Sequence, residues 1–223
     1  DGDTSGPKTY PQPLGIRSLT PSERFSYVSK LKQLTSLAKD WAGQGGVPSL
    51  LSKSILEKAP THLPDHLRIN TFDTDSLVTS WARYIETLNN SVIPVQGPPG
   101  TGKTYTAAKI IAELMANSET FNIGVSSTSH AAVDNLLKEV KFAVGQSKWS
   151  RLGRIGKKQV PSDLQGRPAQ KKRQVVFGTI AYFCNKETED RVFDVIFIDE
   201  AGQMSLADAL AISVRAKNIV LLG

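Results

Sequence analysis

Apolar residues in the first part of the chain recur at three- and four-residue spacing: Phe25, Val28, Leu31, Leu34, Leu37, Ala38 and Trp41. That period predicts an amphipathic helix over about 21–42. Thr20-Pro21-Ser22-Glu23 reads as its start, with a Thr cap, Pro at the first helical position and an acid in the first turn. Gly43-Gln44-Gly45-Gly46 ends it. A second, short helix is predicted over about 48–58, a connector over 59–64, and a third helix over about 73–88, carrying Leu77, Trp81, Tyr84, Ile85 and Leu88. From residue 91 short apolar runs alternate with helical patterns. The reading is strand 92–96, helix 103–115, strand 122–127, helix 130–142, strand 174–178, strand 193–199, helix 206–213 and strand 218–222. Strands apolar at successive positions are buried on both sides. The alternation therefore predicts an α/β fold, a mainly parallel sheet with helices on both faces. The organisation expected is a tail or linker over 1–20, a helical preface over 21–88, and an α/β domain over 89–223 that is incomplete at its C-terminal side.

Composition narrows the possibilities. Of 223 residues, 39% are hydrophobic and 22% charged, which permits a buried core and excludes wholesale disorder. The run Val192–Ile198 is short and broken by Asp194, far from the ~20 apolar residues of a membrane-spanning helix. No membrane partner is expected. One cysteine, Cys184, and three histidines exclude a disulfide framework and a Cys/His zinc cage. They fit a reducing compartment, cytoplasmic or nuclear. The net charge of +6 is uneven. Lys148, Arg151, Arg154, Lys157, Lys158, Arg167, Lys171, Lys172 and Arg173 lie in one segment with a single acid, Asp163, so 148–173 carries +8 and the remainder −2. With few apolar anchors, this segment reads as mostly loop. A charge run alone is most simply a solvated loop; its functional reading is a contact with a polyanion. The chain starts at Asp1 without Met and stops after an apolar strand pattern, as expected of a piece of a longer protein.

The strongest chemical signal is Gly97-Pro98-Pro99-Gly100-Thr101-Gly102-Lys103-Thr104, which fits G-x-x-x-x-G-K-[ST] between a predicted strand and a predicted helix. Glycines let successive backbone N–H groups turn inward around a phosphate. The helix start adds unpaired N–H groups and the positive end of its dipole. Lys103 supplies a point charge between β- and γ-phosphates, and Thr104 a hydroxyl for Mg2+, which keeps most of its waters. ATP with Mg2+ is the expected cofactor pair.

A second signal is Asp199-Glu200, two carboxylates closing the apolar strand Val195–Ile198. Ligands of open α/β sheets sit at that edge. Asp199 is expected to hold Mg2+ through water, and Glu200 to polarise the water attacking the γ-phosphorus. Lys103 and Glu200 are thus the expected catalytic pair. Ala201-Gly202-Gln203 follows directly, and a side-chain amide at Gln203 is placed to couple the γ-phosphate to another site.

Gln96–Thr104 together with Asp199-Glu200-Ala201-Gly202-Gln203 resembles the superfamily 1 helicases of the DEAGQ branch, which includes the nonsense-mediated-decay RNA helicase. Two further segments match in the expected order. Ser129-His130-Ala131-Ala132-Val133-Asp134-Asn135-Leu136 is similar to the family's motif Ia, where Asn is more usual at the position of His130. Val175-Val176-Phe177-Gly178-Thr179 is similar to the strand-end motif whose Gly-Thr touches the nucleic-acid backbone. The resemblance covers about 90–223 and implies a RecA-like P-loop ATPase fold, the first motor domain of an ATP-dependent helicase or translocase. It implies contacts to single-stranded nucleic acid, DNA or RNA, through Thr128, Ser129, His130, Gly178 and Thr179. It also implies a second RecA-like domain as the partner that completes the ATP site. By itself, Ser129 reads most simply as a helix cap, although hydroxyls beside helix N-terminal amides also suit strand phosphates.

The chain departs from the family in further places: residues 70–88 hold no Gln in the position where the family reads adenine, and the family's barrel insertion and motif III have no equivalent in the sequence. Two other readings share the phosphate loop: a ring-forming ATPase that remodels proteins, and a P-loop module that no longer turns over. Against the first stands Ala201-Gly202-Gln203 after the acidic pair; against the second stand Lys103, Thr104, Asp199 and Glu200 intact. The motor reading also requires the strand over 218–222 to lie between the phosphate-loop strand and the Asp199 strand, so that Thr104 and Asp199 face one another.

Overall fold

The computed structural model describes residues 24–44, 49–58, 74–154, 174–184 and 192–223. In chain order the elements are α1 (Arg24–Gln44), α2 (Leu50–Leu56), α3 (Thr74–Thr87), β1 (Val92–Val95), α4 (Lys103–Asn117), β2 (Ile123–Ser127) and α5 (His130–Val144). There follow β3 (Leu152–Arg154), β4 (Val175–Thr179), α6 (Ile180–Phe183), β5 (Val195–Asp199), α7 (Leu206–Ser213) and β6 (Ile219–Leu222). The six strands form one sheet in the order β1-β6-β5-β2-β4-β3, and every pairing is parallel. This is the α/β parallel sheet expected of the strand–helix alternation, and its order, with β6 between β1 and β5, fits the P-loop fold that the resemblance implies.

Alternate residues of each central strand enter opposite cores. Val195 and Phe197 of β5 join Val175 and Phe177 of β4 and Val220 and Leu222 of β6 on one face. Ile196 and Ile198, with Val176 and Ile219, line the other. The first face is covered by α3, α4 and α5, through residues such as Ile85, Ile111, Leu114, Val133 and Val140. The second is covered by α2, α6 and α7, with Leu51, Phe183 and Ile212 fully buried and Leu34 of α1 packed against them. Burial on both faces is why these strands read as unbroken apolar runs. Val78, Ala82 and Ile85 of α3 share the core of α4, so the third predicted helix is built into the sheet's own packing.

Gly124 in β2 shows how close that packing is. A Cβ placed there would meet Ile196 Cγ1 at 2.7 Å and Phe183 Cε1 at 3.1 Å. A glycine in a buried strand marks this kind of close approach.

The start of the basic segment differs from expectation. A 3-10 turn over Gln146–Arg151 leads into β3, which pairs with β4 at the sheet edge. Leu152 and Arg154 are fully buried, and Trp149 packs on the core with its indole N–H donating to the Lys141 carbonyl. Three residues are too few to show a period, and β3 exists only through pairing with a strand more than twenty residues later. The loop reading is therefore corrected for 148–154; 155–173 lies outside the described residues, as do the tail 1–20 and the helix start Thr20–Glu23. The short helix α6, unread in the sequence, turns the chain after β4. Among the described residues no helix is long and apolar enough to cross a membrane.

Candidate nucleotide site and the carboxyl edge of the sheet

Parallel strands bring their carboxyl ends to one edge, and the candidate residues are gathered there. In the sheet register Ser127 lies beside Asp199 on one side and Thr179 on the other. The phosphate loop leaves β1, two strands from β5, and its backbone is tied to the end of β6: Gly97 N–H donates to the Gly223 carbonyl at 3.1 Å, and Gly223 N–H to the Val95 carbonyl at 3.0 Å.

Within the loop, Gly100 and Gly102 both have φ of +80°, left-handed backbone that glycine adopts without strain. Gly102 is the cap residue of α4, so the loop ends where the helix's unpaired N–H groups begin. The Thr101 hydroxyl donates to the Pro98 carbonyl at 2.9 Å. Lys103 folds back over the loop, its ammonium donating to the carbonyls of Gly97 at 2.6 Å and Pro98 at 2.9 Å. Pro98 and Pro99 are exposed on its rim.

Thr104, on the first turn of α4, donates its hydroxyl to Asp199 Oδ2 at 3.1 Å, across 95 residues of sequence. The other carboxylate oxygen accepts the Glu200 N–H at 3.0 Å. A hydroxyl and a carboxylate converging beside a left-handed glycine loop form an all-oxygen donor set suited to Mg2+. Asp199 is 8% exposed, whereas Glu200 is exposed and held in left-handed backbone, φ +54°. A non-glycine residue with that φ is uncommon and is found where surrounding structure imposes it. Here it swings the chain out of β5 into the 3-10 turn Ala201–Gln203, closed by Gln203 N–H donating to the Glu200 carbonyl.

Gln203 does not sit apart from the remaining candidates. With Thr128, Thr179, Ile180, Lys30 and Asp208 it lines a cleft of about 170 Å3. The Thr179 hydroxyl is buried there without a hydrogen-bond partner, as are those of Ser126 and Ser127 in the adjacent strand. Buried hydroxyls left unpaired are rare. Gly178 is buried within β4 opposite Ser126. Ser129 caps α5, its oxygen accepting the Ala132 N–H at 3.1 Å. His130, the first residue of α5, bonds through Nδ1 to Arg154 at 2.9 Å.

Three residues of this edge were not singled out in the sequence. Lys30 of α1 pairs with Asp208 of α7 at 2.7 Å and closes one side of the cleft. Arg154 was one charge among nine, and nothing in a charge run signals a buried guanidinium. Among the described residues no group of three or more His, Cys, Asp or Glu forms a further metal cluster.

Comparison with known proteins bears on this arrangement. Residues 79–172, less than half of the chain, match the family model AAA_11, described as an AAA domain. ECM32 of Saccharomyces cerevisiae, named as a candidate ATP-dependent RNA helicase, is 37% identical over 93 residues, 41% of this chain and 8% of that protein. The DNA polymerase alpha-associated DNA helicase A of the same yeast is 32% identical over 66 residues, 30% of this chain and 10% of that protein. The matched part thus spans a tenth or less of either relative. A helicase structure, arterivirus nonstructural protein 10 with DNA, aligns at a TM-score of 0.39 and 17% identity, covering 59% of this chain and 28% of that one. The matched segments are thus similar to an AAA domain and to parts of two yeast helicases.

Proposed function

We propose that this chain is the first motor domain of an ATP-dependent helicase or translocase of the DEAGQ branch, acting on single-stranded nucleic acid. The observation that carries the reading is the 3.1 Å approach of Thr104 to Asp199, which joins the phosphate loop and the acidic strand end into one site. In this reading the backbone amides of Gly100, Thr101 and Gly102 and the Lys103 ammonium bind the β- and γ-phosphates. Lys103 exchanges its two loop carbonyls for phosphate oxygens, a charge-assisted replacement. Thr104 and Asp199 hold Mg2+, which when bound neutralises charge on the phosphate oxygens. Glu200, exposed beside the loop, orients and polarises the attacking water.

The strand runs over the carboxyl edge at Thr128, Ser129, His130, Gly178 and Thr179, with backbone contacts dominating. The α5 N-terminus, capped by Ser129 at the same edge, favours an anionic partner there. Gln203 shares the cleft with Thr128 and Thr179 and couples it to the ATP site. A second RecA-like domain completes the ATP site by supplying an arginine, a contribution worth orders of magnitude in rate. The isolated chain is accordingly a weak ATPase. The setting is intracellular, cytoplasmic or nuclear, in keeping with a single buried thiol.

The test is made in the full-length protein. Lys103→Ala abolishes strand-stimulated ATPase, and strand affinity of the intact protein falls steeply between 50 and 200 mM salt, as about 10³-fold losses do for six or more phosphate contacts. Turnover that survives the substitution refutes the ATP-site assignment. Strand binding that ignores salt refutes the backbone-contact reading.

A further inference from the structure

Arg154 ends the edge strand β3 and is wholly buried, yet guanidinium does not give up its proton in a protein. Its Nε donates to Asp134 Oδ1 at 3.0 Å, and Asp134 lies one helical turn beyond His130 on α5. Its Nη2 stands 2.9 Å from His130 Nδ1, and Nη1 reaches the Phe177 carbonyl of β4 at 3.5 Å. Guanidinium nitrogens can only donate, so His130 Nδ1 must accept. An imidazole that accepts at Nδ1 is neutral and carries its proton at Nε2. A protonated ring would set two cations 2.9 Å apart, at the positive end of α5. Among the described residues, Arg154 from β3 and Tyr182 from α6, whose ring centroid is 6.1 Å away, stand beside the ring, and Asp134 from α5 reaches it through Arg154.

We infer that Arg154 is a positioning residue that locks His130 into the neutral Nε2–H tautomer at the carboxyl edge, making it a hydrogen-bond donor of fixed kind for a phosphate oxygen of a bound single strand. The strand contact rests on the motor reading above; the tautomer does not. Asp134 neutralises the buried guanidinium, and β3 pairs with β4 so that Arg154 lies opposite Phe177, two residues before Thr179. The short edge strand, cut from an otherwise basic stretch, thereby serves to aim α5's first side chain. A neutral donor at this point reads a phosphate oxygen by hydrogen bonding, and its contribution does not depend on the ring gaining charge.

The test is two-dimensional 1H–15N correlation of the histidine ring nitrogens in the 223-residue chain at pH 7. The three histidines are His62, His66 and His130, and His130 is assigned by the signal missing in His130→Gln. The expected pattern for His130 is one tautomer, Nδ1 unprotonated and Nε2 protonated. A protonated Nδ1, or a mixture of tautomers, overturns the lock. In Arg154→Met with Asp134→Asn, which removes both charges together, the pattern becomes mixed while the remaining backbone spectrum stays dispersed. A single tautomer persisting in that folded variant removes Arg154 from the role; should the variant not fold, the wild-type spectrum decides. Titration with a twelve-residue oligo(dT) or oligo(U) at low salt then shifts the His130 Nε2 signal. His130→Ala weakens binding about tenfold and His130→Gln, which keeps a donor at that reach, stays within about threefold. Binding with an unmoved His130 signal overturns the contact and leaves the motor reading intact, whereas no binding at low salt overturns both.

Discussion

Asp199→Asn isolates the divalent-ion part of the site, because the amide keeps the shape of the side chain and removes its charge. Asp199 Oδ2 stands 3.1 Å from the Thr104 hydroxyl, so an ion shared by the two sits close to the carboxylate. A divalent cation held through one water at about 4 Å gains about 2 kcal/mol from the carboxylate in bulk-water screening, and about 8 kcal/mol at an effective dielectric near 20. Asp199 is largely buried, so the true value lies above the lower bound. Even that bound corresponds to about 30-fold in affinity. The structural cost is smaller: an amide loses one acceptor, for either Thr104 or the Glu200 N–H, worth about 1 kcal/mol. The assay is fluorescence titration of a ribose-labelled ATP analogue onto the chain, with Mg2+ and again with EDTA. Wild type binds more tightly with Mg2+. Asp199→Asn binds equally in both, and as well as wild type in EDTA. A variant that keeps the full Mg2+ increment refutes the shared-ion geometry.

Other outcomes follow from the packing. Gly124→Ala forces a methyl to 2.7 Å from Ile196 Cγ1 and should cost about 1–3 kcal/mol, read as a lower urea midpoint at constant slope. Ile196→Ala in the same chain should make the double variant less unstable than the two costs added; strict additivity would show that the contact is absent. Burial pushes the Cys184 thiol up to about 12 from 9.0. A group raised on folding contributes stability that is whole below pH 9 and lost as pH climbs towards 12. Urea midpoints of wild type should therefore fall more steeply above pH 9 than those of Cys184→Ala, and thiol reagents should leave the native chain unmodified at pH 8. Parallel pH profiles for the two chains would contradict this.

The legible parts of the fold were those whose signals are local or doubled. Strands β5 and β6 are buried on both faces, so their apolar runs stand out, and α4 and α5 carry full helical periods. The turn between β1 and α4 was legible because Gly100 and Gly102 take left-handed backbone and Lys103 opens the helix. The position of β6 between β1 and β5 was legible from the need to bring Thr104 to Asp199. What the residues could not disclose depends on pairing at a distance. β3 is three residues long and acquires meaning from β4, and Arg154 is buried because Asp134, twenty residues earlier, is there to meet it. Lys30 was one polar position on an amphipathic helix until α7 placed Asp208 against it.

The turn after β5 joins two otherwise separate sites. Glu200 leaves the strand in left-handed backbone, and three residues later Gln203 is in the cleft lined by Thr128, Thr179 and Lys30. The intervening Gly202 lies against Gly223, whose carbonyl holds the first N–H of the phosphate loop. A displacement at the loop thus meets one end of a turn only three residues long, and the cleft meets the other. Interfaces of this kind transmit by switching between discrete arrangements rather than by bending. Gln203→Ala leaves Asp199, Glu200 and the phosphate loop unchanged, and the turn's closing bond is made by backbone, Gln203 N–H to the Glu200 carbonyl. In the full-length protein this substitution should therefore keep nucleotide affinity and basal turnover within about threefold. The stimulation of turnover by a single strand should drop at least about tenfold, a coupling loss of about 1.4 kcal/mol. Loss of basal turnover in equal measure would place Gln203 in the chemistry of the ATP site, and full retention of stimulation would mean the turn carries no signal.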